Sequence, residues 1–245
     1  MPLRIQKHVL AASLLLPLAA FAGTMGQDAR TKSWSVPLQG GFFGVSQGKS
    51  QQINIDGLVG NRYTVEDNGQ MSGLAGVGLY FDAWSRERMH FSYGVNLFYL
   101  GETHVRGNII QEGVFTNLSY RYSIENLPLY AAAKAIIDMD NPRYAVTMDA
   151  GVGPNFMRLS DYRETPLIAS VTPDNAFGRA NTTTFSAMAG VGLRMNNLIG
   201  ALPVECGYRF FYLGKGNLHR VNEQYLDTLS TGNTYANALV CSVTV

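Results

Sequence analysis

The chain has 245 residues, with 19 Lys and Arg against 18 Asp and Glu, a formal net charge of +1 and 15% charged residues. A balance this close to neutral offers no electrostatic case for nucleic-acid binding, which would need a basic stripe, and the length suits one barrel or sandwich rather than two domains. Gly (26), Tyr (13) and Phe (12) are abundant beside 46% hydrophobic residues, a mixture expected of a sheet whose alternate residues face different media.

At the N-terminus, Arg4 and Lys7 precede an apolar stretch from Val9 to Phe21 that ends in Ala20-Phe21-Ala22 before Gly23. This is the pattern of a secretory signal peptide cleaved after Ala22. It divides the chain into a leader over 1–22 and a mature domain over 23–245. The stretch is shorter than the ~20 residues of a membrane-spanning helix, and no later run matches that length, so the mature domain is expected to have no helical anchor.

Alternation of apolar and polar residues then recurs along the chain. It is weaker in Val36 to Gln47 and Met71 to Asp82, and clear from Met89 to Tyr99. There Met89, Phe91, Tyr93, Val95, Leu97 and Tyr99 share one parity, while His90, Ser92, Gly94 and Asn96 share the other. A long strand ending near Ile137 places Leu129, Ala131, Ala133, Ala135 and Ile137 outside and Lys134 inside. Tyr120, Tyr122 and Ile124 have the opposite parity, which predicts either a bulge near Asn126-Leu127-Pro128 or a separate strand. Tyr144 to Phe156, Thr183 to Met195 and Val204 to Tyr212 alternate clearly, with Asp149, Arg194, Glu205 and Arg209 on the inner parity. Tyr235 to Val245 completes the set.

Long polar connections over 48–70, 101–113, 158–181 and 214–234 alternate with short ones over 83–88, 138–143 and 196–202. Four long loops and three short turns join eight strands, in the asymmetry expected of long outer loops and short periplasmic turns. The predicted fold is all-β, an antiparallel up-and-down transmembrane β-barrel of eight strands. Ten strands result if Tyr120–Ile124 and Leu129–Ile137 are separate. A soluble sandwich would also alternate. Against it stand the aromatic residues at strand ends (Tyr93, Tyr99, Tyr144, Phe156, Tyr208, Tyr212, Tyr235) and an opposite face too small and polar for a solvent surface rich in Lys and Glu.

Lys134 before a short turn, then Tyr144-Ala145-Val146 and Gly151-Val152-Gly153-Pro154-Asn155, resemble the fourth and fifth strands of small outer-membrane barrels of the OmpA transmembrane-domain and OmpW kind. Ala187-Met188-Ala189-Gly190-Val191-Gly192-Leu193 is similar to their later strands. The resemblance implies residence in the Gram-negative outer membrane, contact with membrane lipid and lipopolysaccharide, and insertion by the barrel assembly machinery. One departure is the end Val243-Thr244-Val245, where such barrels commonly close on an aromatic residue.

Charges on the inner parity are costly unless paired. Counting across the short turns puts Lys134 near Thr147 and Asp149, and Arg194 near Val204 and Glu205. The expected pairs are Lys134 with Asp149 and Arg194 with Glu205, with Arg209 higher on the same wall. Such a network either plugs a narrow barrel or gates a pore. Cys206 and Cys241 lie on the lipid-facing parity of neighbouring strands, where they either pack as free thiols or form a disulfide.

For hydrolysis, His90, His104 and His219 are the candidates, since a Ser needs a His within reach, yet no local motif ties one to a particular Ser. Asp138-Met139-Asp140-Asn141 lacks the Gly and distal Glu of a calcium loop. No metal-ligand spacing or cofactor motif is present, and Gly76-Val77-Gly78 and Gly151-Val152-Gly153 read as small residues in packed strands. Arg158, Asp161, Arg163, Glu164 and Arg179 in the third long loop form a mixed-charge surface for lipopolysaccharide or a host ligand, or a merely solvated one. The expected function is a non-enzymatic, surface-exposed barrel with adhesive loops. A narrow channel for small, including hydrophobic, solutes stands second, and a lipid hydrolase third.

Overall fold

The computed structural model describes residues 34–67 and 69–245; the expected leader over 1–22 lies outside the described residues. In chain order the strands are β1 (Trp34–Ser35), β2 (Pro37–Ser46), β3 (Gln51–Ile53), β4 (Asn61–Asp67), β5 (Gly69–Arg86), β6 (Met89–Gln111), β7 (Phe115–Asp138), β8 (Tyr144–Pro166), β9 (Phe177–Gly178), β10 (Ala180–Ile199), β11 (Leu202–Gly214), β12 (His219–Arg220) and β13 (Thr234–Thr244). The described residues contain no helix.

Eight strands close a ring of antiparallel neighbours, β2, β5, β6, β7, β8, β10, β11 and β13, with β13 returning to β2. Closure pairs the backbone of every stave on both sides, which is the condition for crossing hydrocarbon with strands. Val36 and Val245 exchange backbone hydrogen bonds of 3.0 and 3.1 Å at the seam. The expected eight strands are present. The ten-stranded alternative fails because β7 runs unbroken through Tyr120, Ile124 and Leu129.

Below Leu127 the outward residues form an apolar belt: Phe42, Val95, Leu129, Val152, Phe185 and Leu239 all expose their side chains. A belt of this size on a closed barrel is a lipid-facing surface. At its upper edge the outward positions turn polar, where Glu125 accepts a hydrogen bond from Tyr99 and pairs with Arg158 at 3.5 Å.

The strands continue well past this edge. A membrane crossing takes about 9–11 residues, whereas β6, β7 and β8 have 23, 24 and 23. Much of what the sequence suggests as loop over 48–70, 101–113 and 158–181 is therefore strand. The connection between β6 and β7 shrinks to Glu112-Gly113-Val114, where Glu112 and Gly113 both have positive φ (51° and 75°). In this upper section water bathes the outside, so the pattern inverts: Val105, Ile109, Leu118, Tyr120, Tyr122 and Ile124 point inward. Even residues of β7 are buried without interruption from Leu118 to Lys134. The apparent parity change at 126–128 is thus a change of medium, and the bulges lie elsewhere, between Leu100 and Thr103 on β6, between Thr116 and Leu118 on β7, and opposite Tyr122 on β8.

Candidate functional site

The lumen is filled in three storeys. The lowest is polar. Lys134 and Asp149 are Cα partners between β7 and β8, as are Arg194 and Glu205 between β10 and β11, so the expected registers hold. The ion pairs nevertheless run differently. Lys134 Nζ bonds Glu205, and Arg209 Nη2 meets Asp149 Oδ2 at 2.6 Å. Arg194 turns to Asn196 at 3.0 Å instead.

The reason lies in Gly190, the cross-strand partner of both Asp149 and Arg209. A Cβ there would sit 2.3 Å from Asp149 Oδ1. With no side chain on the intervening strand, the carboxylate leans across β10 to the guanidinium. Lys134, freed from Asp149, spans the lumen to Glu205.

Arg209 Nη1 also donates to Gln39 at 2.6 Å, Gln39 donates to Asn96 at 2.6 Å, and Asn96 donates to the Tyr80 hydroxyl at 3.1 Å. The network thereby links β8, β11, β2, β6 and β5. The space left among Gln39, Asp149, Glu205 and Ser242 is about 10 Å³, at the limit of what one water occupies.

The second storey is aromatic and has no counterpart among the residues singled out from the sequence. Phe98, Tyr130 and Phe211, from β6, β7 and β11, are fully buried, with ring centroids 5.3 to 6.3 Å apart. Arg209 lies 5.1 Å from the Phe98 centroid, coupling this storey to the floor. Phe98 fits because its β5 neighbour is Gly76, where a Cβ would lie 2.5 Å from the ring. The signal was present: these are large apolar residues on the parity of Lys134, Asp149 and Glu205.

The third storey is the outer core. Tyr63, Tyr120, Tyr122, Met157 and Leu159 pack with Phe177, Leu218, Tyr225 and Leu229 contributed by the outer connections. Burial pushes the Tyr63, Tyr162 and Tyr225 hydroxyls well above the ordinary tyrosine range. Glu164, expected on a solvated loop, is buried. It accepts backbone hydrogen bonds from Asp174, Asn175 and Ala176 and one from the Tyr162 hydroxyl, fixing the β8–β10 connection. Arg163 and Arg179 are exposed, as the loop expectation has it.

Cys206 and Cys241 are Cα partners between β11 and β13 and are disulfide-bonded. Of the histidines, His219 lines an open groove of about 750 Å³ with Arg220 and Glu223. His104 Nδ1 meets the Ser123 hydroxyl at 2.9 Å. His90 lies at the short-turn mouth of the barrel between Ser85 (Oγ to Nδ1, 2.8 Å) and Asp138 (Oδ2 to Nε2, 2.9 Å). Asp138 thus belongs to this chain of bonds, and Asp140 pairs with Arg88 at 2.5 Å.

The chain is built as a small barrel of the outer-membrane type. No family model and no curated protein matches it. Solved structures similar in outline include the outer membrane protein OprG from Pseudomonas aeruginosa, with TM-score 0.48 and 12% identity over 87% of this chain and 96% of that one. Neisserial surface protein A gives 0.42 and 11% over 87% and 96%. The outer membrane protease OmpT from Escherichia coli gives 0.48 and 6% over 89% and 98%.

Proposed function

We propose that this protein is a structural, surface-exposed outer-membrane barrel without enzymatic activity, whose rigid outer extension presents an adhesive surface. The observation that carries this reading is the filled lumen beneath a crown of exposed apolar side chains. Leu58 and Val59, Val114 and Phe115, Leu167 and Ile168, and Val221 and Leu226 come from all four outer connections and are each at least half exposed. Apolar side chains gathered at the tips of a rigid scaffold favour contact with another surface. The filled lumen favours this reading over a channel, since any continuous passage would require the three storeys to separate. Insertion by the barrel assembly machinery belongs to the same reading.

Cells expressing the protein are expected to adhere to host-cell or abiotic apolar surfaces more strongly than cells expressing a variant with Val59, Phe115, Ile168 and Leu226 replaced by Ser. Equal adhesion would remove the adhesive role. Purified protein in a planar bilayer is expected to show no unitary conductance; steady conductance would restore the channel.

One observation favours a second reading, an esterase at the short-turn mouth of the barrel: Ser85, His90 and Asp138 are hydrogen-bonded in the order that the nucleophile, base and orienting acid of a hydrolytic relay would need. Turnover of a short-chain ester, lost in Ser85→Ala, would support it. No difference between the two proteins would sink it.

A further inference from the structure

Three arginines stand side by side on the outer wall above the lipid belt. Arg106 on β6 is the Cα partner of Arg121 on β7, and Arg121 is the Cα partner of Arg163 on β8. All three are exposed, on strands whose inward neighbours Val105, Tyr120, Tyr122 and Glu164 are buried. Direct cross-strand partners hold their Cβ atoms about 4.5–5.5 Å apart, and like charges there repel.

Of the nearby acids, Asp67 is the Cα partner of Arg106 and offsets the repulsion at that end only, whereas Arg121 keeps an arginine on each side. Glu66 and Asp67 lie at the β4 end of the row, where Glu66 accepts a hydrogen bond from Asn108 and Asp67 one from Gln70. At the β8 end, Asp161 accepts from Ser160. Glu125 is engaged with Tyr99 and Arg158. None of the three guanidinium groups forms an ion pair or side-chain hydrogen bond among the described residues.

Like charges therefore remain side by side at Arg121, and an anion that bridges the row relieves their repulsion. Guanidinium groups match phosphate and carboxylate oxygens in a planar, two-pronged geometry. We infer that Arg106, Arg121 and Arg163 form a binding site for the anionic inner-core sugars of lipopolysaccharide molecules surrounding the barrel.

Height and direction identify this source. Arg121 is six residues above Leu127, which ends the apolar belt on β7. At about 3.3 Å per residue and a tilt of about 40°, that is roughly 15 Å beyond the edge of the hydrocarbon. The site thus stands above the lipid headgroups proper, at the level of the first sugars. It also faces sideways into the membrane's own surface layer, whereas the apolar crown points outward. The inference rests on the membrane orientation given above and not on the adhesive role of the crown.

The test uses the folded full chain in detergent micelles and measures binding of rough-type lipopolysaccharide carrying a phosphorylated inner core. The wild type is expected to bind it at least about tenfold more tightly than R106Q/R121Q/R163Q, the loss expected from even one charge-assisted contact. Lipopolysaccharide with its core phosphates removed is expected to bind the wild type as weakly as the variant. Undiminished binding by the triple variant overturns the site, as does equal affinity for the dephosphorylated core. Binding of a sulfated glycosaminoglycan in preference to lipopolysaccharide overturns the assigned ligand.

A second measurement separates a ligand site from a structural one. In phosphate-free buffer of low ionic strength, R121Q alone is expected to unfold at a higher temperature than the wild type, because it removes two like-charge contacts. Added salt should erase that gain. A lower unfolding temperature for R121Q would mean that the row holds the sheet together, and would refute the inference.

Discussion

Replacing Arg209 by Met removes the cation that meets both Asp149 and Gln39 at 2.6 Å, leaving a carboxylate that is 8% exposed without its counter-charge. Breaking one side of a buried pair costs about 3–5 kcal/mol, and loss of the contact over Phe98 adds about 0.5–2 kcal/mol. R209M is therefore expected to lose about 3.5–7 kcal/mol, a large fraction of the roughly 5–15 kcal/mol typical of a folded domain. Asp149→Leu strands the guanidinium in the same way, though Gln39 and Phe98 remain beside it. The double variant D149L/R209M substitutes apolar groups for the whole pair, a change that is often neutral. It should recover most of the loss. Urea unfolding in micelles, followed by fluorescence of Trp34 and Trp84, gives the three values, and heat-modified gel mobility checks that each variant is folded. If the double variant loses the sum of the two single losses, or if R209M costs under about 1 kcal/mol, the pair is not what holds the floor.

Gly190→Ala should displace the Asp149 carboxylate and destabilise the wild type, but have little effect in a D149L background; equal costs in the two would show that the glycine serves some other contact. Cys206 and Cys241 are 35 residues apart, and opening a loop of that length is worth about 4 kcal/mol in the chain-entropy account. C206S/C241S should thus unfold at markedly lower urea, and an unchanged midpoint would refute the estimate. Phe98→Ala with Phe211→Ala removes two of the three plug rings at a cost of about 3–5 kcal/mol each. If the aromatic storey helps seal the barrel, this variant should conduct more in a planar bilayer than the wild type.

The outer core carries a pH prediction. Burial raises the Tyr63 and Tyr225 hydroxyls well above their ordinary value near 10, so above about pH 10 the unfolded chain loses protons that the folded one keeps. Stability is full below that pH and falls as pH rises through it. Urea midpoints that stay level well above pH 10 would contradict the burial.

The strands were legible in the sequence wherever lipid lay on one side and a polar lumen on the other. Met89–Tyr99 and Tyr144–Phe156 gave their orientation directly, and the registers of Lys134 with Asp149 and of Arg194 with Glu205 followed from short turns. What the pattern hid was the outer half. Tyr120, Tyr122 and Ile124 have lumen parity, but an apolar residue on a membrane strand suggests a lipid contact until the outer medium is known to be water. The ion pairs were hidden for another reason. Pairing by nearest register treats Gly190 as a blank, whereas its missing side chain decides which carboxylate reaches which cation. The aromatic plug was obscured because Phe98, Tyr130 and Phe211 interrupt otherwise small, polar inner faces one residue at a time.

The inversion of polarity along β6, β7 and β8 also sets an order of events in assembly. The outer core draws on the tops of these strands, but Leu218, Tyr225 and Leu229 reach it from the connection between β11 and β13. Its apolar inner face has no complete partner until that last connection has crossed the bilayer. The disulfide at the foot of the same hairpin fixes Cys206 opposite Cys241, so the segment that completes the outer core can arrive already in register. Closing the ring in the membrane and finishing the globule above it are then consequences of one final hairpin.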